Sequence, residues 1–200
     1  MKAIRTFVAI DFPDTLKQAL AGVQQQLAPP NSGNSLAWVP LAKFHLTLFY
    51  LGTTPVSLLV PLKAALTEAA GTCPAFPLGF GKLDCFPATG TPRVLFVEVL
   101  DPIGGLQQFY TQLCKALAQF DFHPDHDLFR PHVTIGRAGR RATTPRQRIM
   151  REWTAHAPEG LPESLMVEEA VFFRSLPERG APVYQVLERL PLADPAPAIE

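Results

Sequence analysis

A four-residue pattern of histidine, apolar residue, threonine and apolar residue occurs twice in this chain, as His45-Leu46-Thr47-Leu48 and His132-Val133-Thr134-Ile135, each time within a strand-like run. In an extended strand successive side chains point to opposite faces. His45 and Thr47 therefore share one face while Leu46 and Leu48 share the other, and the second copy repeats the arrangement. Each unit offers an imidazole and a hydroxyl to one side and an apolar side that can be buried. Two such units set against one another would enclose a symmetric pocket with two histidines and two hydroxyls. The competing reading is a pair of buried histidines, each hydrogen-bonded to a neighbour on a half-covered sheet.

The 200 residues, 47% of them hydrophobic, suffice for one sizeable domain or two small lobes around a substantial core. Lys plus Arg number 18 and so do Asp plus Glu, which leaves no global field to gather a long polyanion; contact with nucleic acid must be local. Cys73, Cys85 and Cys114 are odd in number and stand at no metal-ligand spacing, so they read as reduced core or loop thiols. The opening Met1-Lys2-Ala3-Ile4-Arg5 leads into a strand-like run without the apolar stretch and cleavage site of a signal peptide. No segment is long and apolar enough to span a membrane. The expectation is a cytoplasmic protein.

Strand-like and helix-like segments alternate in two similar passes. The first comprises a strand at 6–11, a helix at 14–27 with Asp14 as N-cap, and the first motif strand at 44–51, ended by Gly52. A helix at 57–70 follows, with Pro61 tolerable only near its first turn, then strands at 76–83 and 94–100 around the turn-rich 87–92. The second comprises a helix at 103–119, the motif strand at 132–137, a helix at 146–156 and strands at 165–173 and 183–190. The expected domain is 1–192, with 193–200 a flexible C-terminal tail.

These residues carry a resemblance. The chain resembles the two-histidine phosphoesterase superfamily, most closely its RNA 2′,3′-cyclic phosphodiesterase branch, also called the 2′-5′ RNA ligase family. Arg5-Thr6-Phe7-Val8-Ala9-Ile10 is similar to that family's first strand. Trp38-Val39-Pro40 with Phe44-His45-Leu46-Thr47-Leu48 through Leu51-Gly52 resembles its first motif, and Phe129-Arg130-Pro131-His132-Val133-Thr134-Ile135-Gly136-Arg137 its second. Ser175, Gly180 and Tyr184 resemble its closing hairpin. Tyr50 stands where the family usually has Phe, and Gly136 where alanine is common. Element pattern and resemblance point to an α+β fold of two pseudo-symmetric lobes, each an antiparallel sheet with covering helices, with the active cleft between them.

The resemblance implies metal-independent hydrolysis of RNA 2′,3′-cyclic phosphate ends to 2′-phosphomonoesters, and a reversible 2′-5′ ligation of such an end with a 5′-hydroxyl that needs no ATP. The chemistry suits two His/Thr pairs. Water must attack phosphorus on one side while a ribose oxygen leaves on the other, which asks for two opposed proton handlers, each typically contributing about 10²- to 10⁴-fold in rate. Histidine titrates near neutrality and can fill either role. Thr47 and Thr134 can donate hydroxyl hydrogen bonds to the non-bridging oxygens. Following the family, His45 is the general acid and His132 the general base, although pseudo-symmetry leaves the reverse chemically open. The resemblance also implies that Arg137 contacts phosphate; the alternative is a surface arginine ending a strand. Five residues after His132, it would point to the wrong face of a perfect strand, and Gly136 is expected to supply the bulge that re-aims it.

No cofactor and no metal are expected, and no Gly-rich phosphate loop of the nucleotide-hydrolase type occurs. His123-Pro124-Asp125-His126-Asp127 clusters possible ligands but fits no established zinc spacing, and reads as a polar loop. Arg137, Arg140, Arg141, Arg146, Arg148 and Arg151 could follow an RNA backbone or form a solvated face. Trp38, Phe7 and Tyr50 could stack on a base, though at least two of them should fill the core. The expected partners are RNA ends or nucleotides bearing a 2′,3′-cyclic phosphate, met by a monomer. The alternatives are a phosphodiesterase for a small cyclic nucleotide or an ADP-ribose cyclic phosphate, and a non-catalytic binder of RNA ends.

Overall fold

A computed structural model of the chain describes residues 2–27, 36–124, 128–138, 151–155, 157–177 and 182–194. Its principal elements are β1 (Ala3–Asp11), α1 (Asp14–Leu27), β2 (Leu36–Trp38), β3 (His45–Pro55), α2 (Leu59–Gly71), β4 (Phe76–Phe86), β5 (Val94–Leu100), α3 (Gly105–Ala118), β6 (His132–Ala138), β7 (Leu165–Val167), β8 (Glu169–Leu176) and β9 (Val183–Pro191). The strands form two antiparallel sheets, one in the order β3-β1-β8-β9 and one in the order β2-β6-β5-β4-β7. Each motif strand belongs to a different sheet, and β3, an edge strand, packs against β6.

Local chemistry sets most boundaries. In α1, Leu16, Leu20 and Val23 recur at helical spacing and are buried. Asp14 lies inside the first turn rather than capping it, because the Lys17 amide already donates to the Pro13 carbonyl. Pro61 falls in the first turn of α2, where its missing N–H costs no helical bond. The helix expected from residue 103 starts at Gly105, where the Asp101 carboxylate accepts from the amides of Leu106 and Gln107 at 3.2 and 2.9 Å. Gly105 also lets the helix approach Phe76, since a Cβ there would lie 2.4 Å from the Phe76 Cβ.

Two expectations are corrected. Gly52 does not end the first motif strand: at φ +69° it accommodates a register shift, and Thr53, Thr54 and Pro55 go on to pair with Arg5, Ile4 and Ala3. The run at 165–173 is two strands in two sheets, β7 on β4 and β8 on β1, broken at Glu168, whose carbonyl accepts from the Leu192 amide at 2.8 Å. Beyond these corrections of single elements, the two passes along the sequence interleave between the two sheets. Strands β2, β4 and β5 from the first pass join β6, whereas β8 and β9 from the second pass join β1 and β3. Of the expected helix at 146–156, residues 151–153 are helical, while 146–150 and 156 lie outside the described residues. So do Gly180 of the expected closing hairpin and 195–200 of the expected tail.

One continuous apolar core runs between the sheets, from Val8, Leu46 and Phe172 of the first to Phe76, Leu95 and Val133 of the second, with Leu62, Leu66, Phe109 and Leu113 from α2 and α3. Within it the Thr6 and Thr54 hydroxyls, both fully buried, meet at 2.7 Å across β1 and β3. Replacing Thr54 with valine strands the Thr6 hydroxyl and should cost about 1–3 kcal/mol. The double variant T6V/T54V should recover most of that, because the stranded Thr6 hydroxyl is then removed as well and only the long 3.4 Å bond from Thr54 to the Gly52 carbonyl stays unmade. Urea titration of the three variants checks this, and a double variant no better than T54V alone would contradict it.

Candidate functional site

The two motif strands share a local design. In β6, Phe96 pairs with Thr134 and Leu95 with Gly136, so Ile135 is the extra residue of a bulge. In β3, Ala9 pairs with Thr47 and Val8 with Phe49, so Leu48 is extra at the corresponding position. Burial along the strands carries the same phase change: Ile135 and Gly136 are both buried before exposed Arg137, and Leu48 and Phe49 before exposed Tyr50. Each bulge therefore keeps the fifth residue after the histidine on the histidine's face. The bulge that re-aims Arg137 is at Ile135, not at the expected Gly136. Gly136 serves a different purpose, since a Cβ there would sit 3.2 Å from the Trp38 ring.

A cleft of about 610 Å³ opens between the strands, lined by Thr47 and Tyr50 of β3 and by His132 and Arg137 of β6, among others. His45 adjoins it at the start of β3, where the Arg137 and His132 charges act on its ring. Thr134 shares the His132 face of β6 and is half-buried. Tyr50, 48% exposed, is the pseudo-symmetric counterpart of Arg137. Phe7 is buried in a small cluster with Phe173 and Tyr184, and Trp38 packs on Trp153 at 5.7 Å; of the three aromatics considered, Tyr50 is the one that presents an open face to the cleft.

Both imidazoles are held the same way. The ring nitrogen Nδ1 of His45 lies 2.8 Å from the Lys43 carbonyl, and that of His132 lies 2.7 Å from the Arg130 carbonyl. A carbonyl can only accept, so Nδ1 carries the proton in each case and Nε2 is left as the working nitrogen. In the neutral ring Nε2 of His45 accepts from the Thr47 hydroxyl at 3.0 Å. Aromatic rings wall both sites: Phe7 and Tyr184 stand 5.3 Å from His45, and Phe86 and Phe96 about 5 Å from His132.

Burial is the largest influence on both histidines and pushes each below its ordinary titration range. The upstream carbonyls oppose it in both. The remaining charges differ: the Asp11 carboxylate favours a proton on His45 against Arg137 and His132, whereas His132 faces the guanidinium groups of Arg137 and Arg130. Asp11 is the cross-strand partner of His45 and is itself paired with Lys17 at 2.7 Å.

Arg130 was not singled out as a site residue by the sequence. Its guanidinium lies 4.9 Å over the Phe86 ring and 3.4 Å from the Asp84 carboxylate, at the cleft wall. The hint was its place beside the second motif, but its direction depends on β4, which no local pattern reveals. Of the six clustered arginines, Arg140, Arg141, Arg146 and Arg148 lie outside the described residues, and Arg151 donates to the carbonyls of Ala88 and Gly90 at 2.8 and 2.7 Å, clasping the β4–β5 turn. In the polar run before the second motif, residues 125–127 lie outside the described ones, and His123 pairs with Asp121 at 3.4 Å. Cys73, Cys85 and Cys114 are free thiols, the first two buried. Among the described residues no helix is long and apolar enough to cross a membrane.

Fold and site together define a class: two-sheet α+β proteins in which paired His-x-Thr strands meet at one cleft. The chain belongs to the 2′-5′ RNA ligase superfamily, whose family model matches residues 7–177. Among curated relatives, an RNA 2′,3′-cyclic phosphodiesterase of Archaeoglobus fulgidus is 28% identical over 69% of this chain and 74% of its own length. One of Thermus thermophilus is 29% identical over 94% of this chain and 90% of its own. Another, of Geobacillus stearothermophilus, is 25% identical over 96% of this chain, which spans only 58% of that relative. Among solved structures, TT0787 of Thermus thermophilus superposes with a TM-score of 0.78 at 25% identity, covering 96% of this chain and 99% of that one. Escherichia coli LigT in its apo form gives 0.73 at 25% identity, covering 97% and 100%.

Proposed function

We propose that this protein hydrolyses RNA 2′,3′-cyclic phosphate ends to 2′-phosphomonoesters by metal-independent general acid–base catalysis, and that a 5′-hydroxyl in place of water gives reversible 2′-5′ ligation of the same end. The observation that carries this reading is the matched pair of imidazoles, each with Nδ1–H tied to the carbonyl two residues upstream and Nε2 left to exchange a proton. The names of the curated relatives supply the substrate class.

His132 is the general base. Its neutral form is favoured by burial and by two flanking guanidinium groups, and a neutral Nε2 takes the proton from the attacking water. His45 is the general acid. The Asp11 carboxylate favours its proton, which Nε2 passes to the leaving ribose oxygen. The bound phosphodiester's own negative charge further favours that proton. Thr47, Thr134 and Arg137 hold the non-bridging oxygens, whose charge they stabilise through the transition state. The apolar end of the cleft, where Tyr50 is exposed, offers a flat face to the terminal base.

The test is turnover of an RNA oligonucleotide ending in a 2′,3′-cyclic phosphate, in excess chelator, with the product isomer identified. Conversion to the 2′-phosphate is expected. Turnover of a small cyclic nucleotide but not of the oligonucleotide would reassign the substrate, and dependence on added metal would overturn the acid–base mechanism.

A further inference from the structure

We infer that Gln24, on α1 and away from the cleft, is a positioning residue for Arg137, acting through the bulge at Ile135; the inference rests on the proposed role of Arg137 as the phosphate-binding cation. Arg137 reaches the cleft only because one residue of β6 is unpaired. With a regular strand its side chain would turn to the opposite, buried face, where Val133 and Ile135 pack. Whatever holds the Ile135 peptide therefore decides which face receives the guanidinium.

The carbonyl of that peptide is held from two directions. The Ile135 carbonyl accepts from the Val39 amide at 3.0 Å and from Gln24 Nε2 at 2.7 Å, which uses both of its lone pairs. The second N–H of the same Gln24 nitrogen donates to the Val39 carbonyl at 2.9 Å. Both partners are acceptors, so the side-chain amide has one consistent orientation, with its NH₂ toward them. Gln24 thus closes a small network joining α1, the segment after β2, and the bulge. The Trp38 ring covers the neighbouring Gly136 at a distance that leaves little room for the strand to shift. The Gln24 amide is spent on these backbone carbonyls, so its influence on phosphate passes through Arg137.

The experiment is a double-mutant cycle with Gln24→Met, which keeps length and removes both donors, and Arg137→Ala, read as inhibition by inorganic phosphate and as KM and kcat for a nucleoside 2′,3′-cyclic phosphate. R137A should weaken phosphate binding by about tenfold or more, the loss of a hydrogen bond to a charged group. Q24M should weaken it by roughly five- to tenfold, and by nothing further once Arg137 is absent, since two changes on one path are not additive. A Q24M effect on phosphate inhibition of the same factor in both backgrounds would mean an action that does not pass through Arg137, and that result would overturn the inference. So would unchanged phosphate inhibition in Q24M alongside a clear loss in R137A. Unchanged inhibition in R137A itself would overturn the phosphate role of Arg137 and the inference with it.

Discussion

Replacing either His45 or His132 with alanine is expected to lower turnover of a 2′,3′-cyclic phosphate end by about 10²- to 10⁴-fold while leaving the fold intact. In the proposed mechanism each ring handles one proton and does not take over the other's, because the two rings stand on strands of different sheets. The fold should survive, since both rings are only partly buried and neither belongs to the apolar core. The carbonyls of Lys43 and Arg130 each lose one hydrogen bond, and thermal unfolding should register that as a small shift. If the two histidines act in one step as proposed, the double variant should be little worse than the poorer single one. Rates from single-turnover experiments, with unfolding curves on the same samples, check this. Near-normal turnover in either single variant would rule out the two-histidine mechanism.

The second large effect is on stability and comes from the residue next to the first histidine. Phe44 is fully buried in the main core and directly precedes His45, where a short 3₁₀ turn (Leu41–Lys43) passes into β3. Phe44→Ala should cost about 3–5 kcal/mol, the usual range for emptying a buried aromatic site. Against a total stability of about 5–15 kcal/mol for a domain, that would leave the protein barely folded. Denaturant titration should show a much lower midpoint at an unchanged slope. A loss under about 1 kcal/mol would mean that the site collapses freely, contrary to close packing. The same side chain thus ties the position of the His45 backbone to the stability of the whole core.

Much of the site was legible because its signal is local. The alternation in His45-Leu46-Thr47-Leu48 and its twin follows from the two-residue period of a strand, and the apolar members of both are buried. The helix at 14–27 and the strand at 94–100 were readable for the same reason, and their bounds match. Where local signals compete with pairing, the reading failed. Gly52 looked like a stop, but Thr54 had a buried partner in Thr6 that drew the strand onward. Residues 165–173 looked like one strand because nothing local records that β7 pairs with β4 and β8 with β1.

By itself, the sequence determined that two histidine–threonine pairs would lie on exposed faces of strands with buried backs, and hence the kind of proton chemistry available. Side-chain alternation and residue titration need no distant partner. Tertiary structure alone decided that the lobes interleave along the chain, that bulges at Leu48 and Ile135 turn Tyr50 and Arg137 toward the cleft, and that Asp11 stands by His45 while Arg130 stands by His132. A bulge exists only relative to the strand it fails to match, and a charge acts through space rather than along the chain; both are therefore set by which segments the core brings together.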